Sequence, residues 1–362
     1  MQFVDPWEWK NSFYQRALWQ GDKERVELVQ IYDRAYQKFE SNPVEARVLL
    51  EQGHSLADLL NEPHWKLFYR HWLYNVIMYY QGNFAEGIAI ALKNAVEVRK
   101  PEYRHWPFLC RVYRAATDAF LIADPVGYAD RITEAIDYIE TQLPLDVDTW
   151  QILLETRTYL MLGLDRWDEA LKLAERYLAR SESSTFRRIY ACELLCIIHH
   201  HFAQDKEVVQ FAELGERSAR SRNYDVQLRL ASFLLWQAYG RRADSEKAMQ
   251  LFRSANQAIA RIKAPLDTSY YDALSAFYVA TGQYAEALAA RNRDLTEILE
   301  RGSPHQECLA RLSRCKILKL MGLLMPVDLE AARGASQKLI APASFLAKLD
   351  ALQQNNVDFN VS

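Results

Sequence analysis

At 362 residues the chain is long enough for two or three globular domains, unless it is a repeat array. Half of its residues are hydrophobic, which excludes disorder, and its net charge of −3 argues against a nucleic-acid partner. Twelve glycines and eleven prolines are too few turn signals for a chain of short strands, so the composition favours an all-helical fold. The five cysteines, Cys110, Cys192, Cys196, Cys308 and Cys315, are odd in number and fit no disulfide framework. Reduced, buried thiols in a cytoplasmic protein are expected instead. The opening MQFVDPWEWK has no apolar signal-peptide region, and no run of about 18 apolar residues offers a membrane span.

In chain order, residues 6–60 read as helical, with PWEWKNSFYQRALW a distinct N-terminal helix. NPVEARVLLEQGHSLADLL follows as the second helix of a degenerate first repeat. Seven helix pairs are then expected at 62–81 and 84–99, 101–122 and 126–142, 146–163 and 166–180, 184–203 and 205–221, 223–241 and 244–262, 267–281 and 284–301, and 304–321 and 327–339. Residues 342–352 read as a short capping helix and Gln353 to Ser362 as a frayed tail. The expected organisation is an N-terminal helical segment (1–61), a repeat array (62–340) and a capping helix with its tail (341–362).

A recurring turn supports the pairs. YYQGNFAEGIAIAL from Tyr79, GLDRWDEALKLA from Gly163 and VATGQYAEALAARN from Val279 share a turn, an aromatic residue (Phe84, Trp167, Tyr284) and then a small residue (Gly87, Ala170, Ala287). Weaker copies add Ala129, Val209 and Ala248, giving a ladder with steps of 42, 41, 39, 39 and 39. Gly282 suits a left-handed C-terminal cap, Ala287 lets two helices approach closely, and Tyr284 covers the turn. Pro63, Pro101, Pro144, Pro265 and Pro304 fall between repeats, and Pro43, Pro125 and Pro326 fall at turns inside them. Pro107 alone is awkward, lying inside an expected helix. Helix pairs that cannot bury their apolar faces alone must stack on their neighbours.

These residues resemble the tetratricopeptide repeat family. In the best copy Tyr271, Leu274, Ser275, Tyr278, Gly282, Tyr284, Ala287 and Leu288 fall where that family's pattern places them. The period of about 40 exceeds the usual 34 or so and implies longer helices. HEAT and armadillo arrays have periods nearer this value but lack the turn-aromatic-alanine signature. The resemblance implies an all-α, right-handed solenoid of about seven stacked antiparallel helix pairs. It also implies a concave groove lined by first helices, at positions about 13, 10, 6 and 3 residues before each turn glycine. Those positions are Tyr69, Trp72, Val76 and Tyr79, then Arg111, Arg114, Asp118 and Leu121, then Ile152, Glu155, Tyr159 and Leu162. Later repeats give blander sets such as Ser269, Asp272, Ala276 and Val279. The lysine–asparagine pair that grips chaperone tails has no counterpart at Trp72/Val76, Arg114/Asp118 or Asp272/Ala276.

Catalytic motifs of nucleotide, zinc-protease or serine-hydrolase type are missing from the sequence. Asp146-Val147-Asp148 reads as a helix-start charge pair rather than a metal site. Cys192, Cys196 and His200 share one helix face, but no second ligand pair accompanies them, and His199, His200 and His201 diverge by about 100° each. Core packing is the expected role of all of them. The aromatic and basic stretches HWKLFYRHWLYN and YRHWPFLCRVYRA are the most distinctive chemistry in the chain. The expectation is a non-catalytic scaffold without cofactor or metal, binding a protein or peptide through Tyr69, Trp72, Tyr79, Arg111, Arg114, Glu155 and Tyr159. Arg111 and Arg114 are expected to meet partner carboxylates, or else to pair internally with Asp118 and Glu155, which would leave no site. The alternative is a regulatory sensor, similar in layout to the bacterial Rap regulators, whose repeats bind a peptide or small ligand and change conformation.

Overall fold

A computed structural model describes residues 4–182, 184–220, 225–260 and 268–354. Among these residues there is no strand, and eighteen α-helices follow one another. They are α1 (Pro6–Gln20), α2 (Lys23–Tyr36), α3 (Pro43–Leu59), α4 (Pro63–Asn75), α5 (Phe84–Glu97), α6 (Leu109–Ala123), α7 (Ala129–Gln142), α8 (Val147–Gly163) and α9 (Trp167–Arg180). Then come α10 (Thr185–His201), α11 (Asp205–Ala219), α12 (Asp225–Gly240), α13 (Ser245–Ile259), α14 (Thr268–Ala280), α15 (Tyr284–Arg301), α16 (Pro304–Leu320), α17 (Pro326–Ser336) and α18 (Ala343–Gln353). A π-helical turn, Val76–Tyr80, extends α4, and a 3-10 turn, Pro101–Tyr103, precedes α6. No helix among the described residues is long and apolar enough to cross a membrane.

The helices begin where local chemistry starts them. Pro6, Pro43, Pro63, Pro304 and Pro326 occupy first-turn positions, where the missing N–H costs nothing. Asp22, Asn42, Asn83, Ser184, Asp244 and Ser303 accept a backbone N–H of the turn they precede. They end in a recurring turn. A left-handed residue, Gly282 (φ 75°), Asp165 (57°), Ala203 (54°) or Gly322 (71°), is followed by one whose N–H reaches back into the last helical turn. The pairs are Gln283 to Tyr278 (2.8 Å), Arg166 to Met161 (2.9 Å), Gln204 to His199 (2.9 Å) and Leu323 to Leu318 (2.8 Å). Thus Gly282 does cap its helix, whereas Gly163 is the last residue of α8 and Asp165 takes the left-handed position.

The chain divides into two compact units. The first comprises Met1–Ala123 and Tyr128–Leu153, the second Asp124–Gly127 and Leu154–Ser362. In the first, each helix from α1 to α6 packs on its successor, and α4 also meets α6. In the second, α9 to α13 and α14 to α18 do the same, with α10 meeting α12 and α12 meeting α14. Contact between alternate helices is what stacked antiparallel pairs produce, so the packing is consistent with an α-solenoid.

The expected helix pairs are present to within a few residues, with two corrections. Helix α6 starts at Leu109 rather than 101, so Pro107 lies just before it and interrupts nothing. The rungs of the ladder are the buried fourth residues of the second helices: Gly87, Ile132, Ala170, Val208, Ala248 and Ala287. Their steps are 45, 38, 38, 40 and 39. Ala129 and Val209 are only half-buried. Small size misplaced the first of these rungs, which the chain fills with Ile132, and the other lies one residue earlier, at Val208. Beyond Gln354, the expected frayed tail lies outside the described residues.

In the second unit the chain also closes over a long sequence distance. Asp124, almost fully buried, accepts N–H groups from Gly127 (3.0 Å), Ile340 (2.7 Å) and Ala341 (2.9 Å). Lys348 on α18 pairs with Asp165 at 2.7 Å. These contacts hold the segment between α17 and α18.

Candidate partner-binding face

In the first unit α4 is almost entirely aromatic on its inner side. Trp65, Phe68, Tyr69, His71 and Tyr74 are buried, and Trp72 is half-buried. Their neighbours are also aromatic: Tyr32 lies 4.8 Å from Phe68 and 5.5 Å from Trp72, Phe39 lies 5.4 Å from Trp72, and Phe108 lies 4.9 Å from Phe68. Offset and edge-on packing of this kind adds to the burial of each ring.

The N-terminal helix is seated on this surface. Asp5 caps α1 through Trp7 N (2.8 Å), and the N–H of Val4 bonds the carbonyl of Leu145 (2.7 Å). Trp7 stacks on Trp72 (6.1 Å between centroids, 27° between planes) and meets Phe108 edge-on at 6.0 Å. Trp9, two residues on and so on the opposite flank of the helix, packs on Trp65 (5.0 Å), Trp106 (5.4 Å) and Phe68 (5.7 Å). The first turn of α1 therefore rests on one continuous aromatic surface, because Phe68 touches Trp65, Trp72 and Phe108 in turn. Lys10 pairs with Asp33 and lies over the Tyr32 ring.

The charged groups of this face are matched from within. Arg111 reaches Asp146 with Nε at 3.0 Å and Nη2 at 3.3 Å, a bidentate pair. Its guanidinium lies 5.6 Å from the Trp7 ring and 5.8 Å from Phe108. Asp146 also accepts Thr149 N (2.8 Å) and Oγ1 (2.9 Å), which caps α8, so the Asp-Val-Asp stretch starts a helix and anchors an arginine. Arg114 pairs with Asp118 at 3.1 Å, and Asp118 accepts the Tyr79 hydroxyl at 3.1 Å. Burial, backed by the charges of Arg114 and Arg111, holds the His71 imidazole well below its usual value. His71 is thus neutral between Trp72 and Phe108.

Of the expected site residues, Trp72, Tyr79, Arg111 and Arg114 come together here. Tyr69 does not reach the surface: it is 0% exposed, and its hydroxyl donates to the Leu28 carbonyl. Its place is beneath the face, against Gly53. Arg114 has the internal partner foreseen for it, Asp118, whereas Arg111 pairs with Asp146, which was not foreseen. Tyr79 is 50% exposed, and the π-helical turn sets it beside Tyr80, also exposed. Tyr36, 57% exposed, packs edge-on against both Phe39 and Trp72 and completes an exposed tyrosine rim.

Glu155 and Tyr159 belong to the second unit. Glu155 accepts the Tyr177 hydroxyl at 2.9 Å and lies 3.6 Å from Arg187, while Tyr159 is partly exposed. In the same unit Cys192, Cys196 and His200 are buried, and burial pushes the Cys192 thiol up to about 12. The three histidines diverge onto different rings: His199 on Phe211 (5.1 Å), His200 between Trp236 and Tyr239 (5.1 and 4.7 Å), and His201 on Trp167 (3.6 Å). Among the described residues no three His, Cys, Asp or Glu side chains are grouped to hold a metal ion.

The seating of α1 and the Arg111–Asp146 pair leave little mark in the local sequence. Both join residues more than thirty apart, and only the two tryptophans of PWEWK hinted at the first. Comparison with protein-family models finds no match for this chain, and comparison with curated proteins finds none either.

Proposed function

We propose that this chain is a non-catalytic interaction scaffold of the tetratricopeptide-repeat type, and that its first unit binds a helical segment of a partner protein. The observation that carries this reading is α1 itself. The aromatic face already holds one helix by seating Trp7 on Trp72 and Phe108, and Trp9 on Trp65 and Trp106. A surface that accommodates one aromatic helix has the shape and chemistry to accommodate another. Tryptophan, tyrosine and arginine are also the residues that carry most energy in protein interfaces.

The arginines take the internal alternative, Arg114 with Asp118 and Arg111 with Asp146, which removes them as a site for partner carboxylates. Asp146 and Asp118 already neutralise Arg111 and Arg114. A partner carboxylate would have to compete with a bidentate pair, so recognition rests on the rings. Arg111 contributes by stacking on an incoming aromatic side chain without leaving Asp146.

The test begins with capture of a partner by the full chain from its native host, followed by titration of that partner. Trp72→Ala should weaken binding roughly 30-fold, the effect of losing a hot spot of about 2 kcal/mol. Unchanged affinity in a folded Trp72→Ala variant would remove the site from this face. The regulatory-sensor reading has one observation in its favour: the face is occupied by the chain's own helix.

A further inference from the structure

The rings beneath α1 also pack on one another: Tyr32 meets Phe68 and Trp72, Phe39 meets Trp72, and Phe68 meets Phe108. Helix α1, by contrast, is held mainly through its first two turns. Of its fifteen residues only Pro6 and Ala17 are fully buried. Ring contacts to other helices come from Trp7, Trp9 and Phe13, and Trp19 near its far end is 88% exposed. A single left-handed glycine, Gly21 (φ 67°), links it to the capped start of α2, with no atom near its missing side chain.

We infer that α1 is a displaceable occupant of the face, and that the partner is a helix of the same chemistry: two tryptophans two positions apart in its first turn, followed by a lysine. This rests on reading the face as a binding site and adds what the site selects. Tryptophans at i and i+2 leave a helix on opposite flanks, so the first turn straddles the face, with Trp7 over Trp72 and Phe108 and Trp9 over Trp65 and Trp106. The following Lys10 meets Asp33 and the Tyr32 ring, so the face also specifies a cation at that position. The extended residue before the helix pairs its N–H with Leu145, which fixes how deeply the turn enters. An external helix with these features exchanges for α1 ring for ring, and Arg111 keeps Asp146 throughout.

The experiment uses the full chain and a fluorescein-labelled peptide of residues 4–21. In the Trp7→Ala/Trp9→Ala double variant α1 no longer fills the face, and the peptide should bind. Adding Trp72→Ala to that variant should weaken binding roughly 30-fold. The wild-type chain should bind the peptide about a hundredfold more weakly, because a tethered competitor acts at a local concentration near the millimolar range. A double variant with wild-type helical content that does not bind the peptide overturns the inference, as does a wild-type chain that binds it equally well. If the double variant loses its fold, Lys10→Glu takes its place: it sets a carboxylate against Asp33 and leaves every ring intact. Peptide binding above wild type is then expected, and binding equal to wild type overturns the inference. A captured partner that still depends on Trp72 when the peptide fails to bind would retain the binding face and reject only the exchange of α1.

Discussion

Alanine in place of Gly53 separates packing from helix propensity. Gly53 lies inside α3, where glycine is worse than alanine by about 1 kcal/mol, so propensity alone makes Gly53→Ala stabilising. The structure opposes this. A Cβ at Gly53 would stand 2.1 Å from Cζ of Tyr69 and 2.6 Å from its hydroxyl oxygen. Ordinary carbon–carbon contact needs about 3.5–4 Å, so the ring must retreat. Tyr69 is fully buried and its hydroxyl is bonded to the Leu28 carbonyl, so retreat also strains that bond. Overpacking costs about 1–3 kcal/mol, and a buried bond lost costs about 1–3 more. After the propensity gain, a net loss of about 1–5 kcal/mol is expected. Gly334→Ala is the control: Gly334 lies in α17, is exposed and has no atom within 4 Å of a Cβ. It should stabilise by about 0.5–1 kcal/mol. Urea unfolding followed by tryptophan emission is suited to Gly53, because seven of the nine tryptophans lie in the first unit. Gly334 lies in the other unit and is better followed by far-ultraviolet circular dichroism. A Gly53→Ala protein as stable as wild type, or more so, would refute the reasoning.

Ala170→Leu and Ala287→Leu enlarge fully buried rungs of the ladder and should each cost about 1–3 kcal/mol, felt mainly in adjacent helix pairs. Thermal melts identical to wild type would contradict this. Asp124→Ala removes one acceptor from three backbone N–H groups, and amide exchange at Ile340 and Ala341 should accelerate markedly, while unchanged exchange would show that the segment is held by other contacts. Burial pushes His200 down to about 4, among Asp205, His201, Arg242 and Lys316. The unfolded chain binds that proton below pH ~6.5, so stability is full above this value and falls as the pH drops towards 4, by about 2 kcal/mol at pH 5. His200→Leu should flatten the pH dependence of melting, and an equally steep decline would assign it to other groups.

The sequence carried the helix pairs because their signals are local. A left-handed turn, an aromatic residue and a buried fourth residue lie within about ten positions of one another, and Gly282, Tyr284 and Ala287 show all three. Where the chain uses Asp165 instead of a glycine, or Ile132 and Val208 instead of alanine, the same geometry is present without the same letters. The π-helical turn was not legible, because one extra residue per turn between Val76 and Tyr80 leaves no compositional mark. The aromatic face was half legible. Trp72, Tyr79, Arg111 and Arg114 are singled out by the resemblance, which counts groove positions back from each turn glycine, but the burial of Tyr69 depends on what stands opposite it, namely Gly53 and the Leu28 carbonyl. The seating of Trp7 on Trp72 joins residues sixty-five positions apart, and periodicity within one helix says nothing about such a contact.

Hydrogen exchange of the full chain, with and without the captured partner, tests the central claim most directly. If the partner helix binds the aromatic face, amides of α4, of the π-helical turn and of the start of α6 should exchange more slowly in the complex, while those of α1 exchange faster. Protection confined to the second unit, with the exchange of α1 and α4 unchanged, would contradict the account.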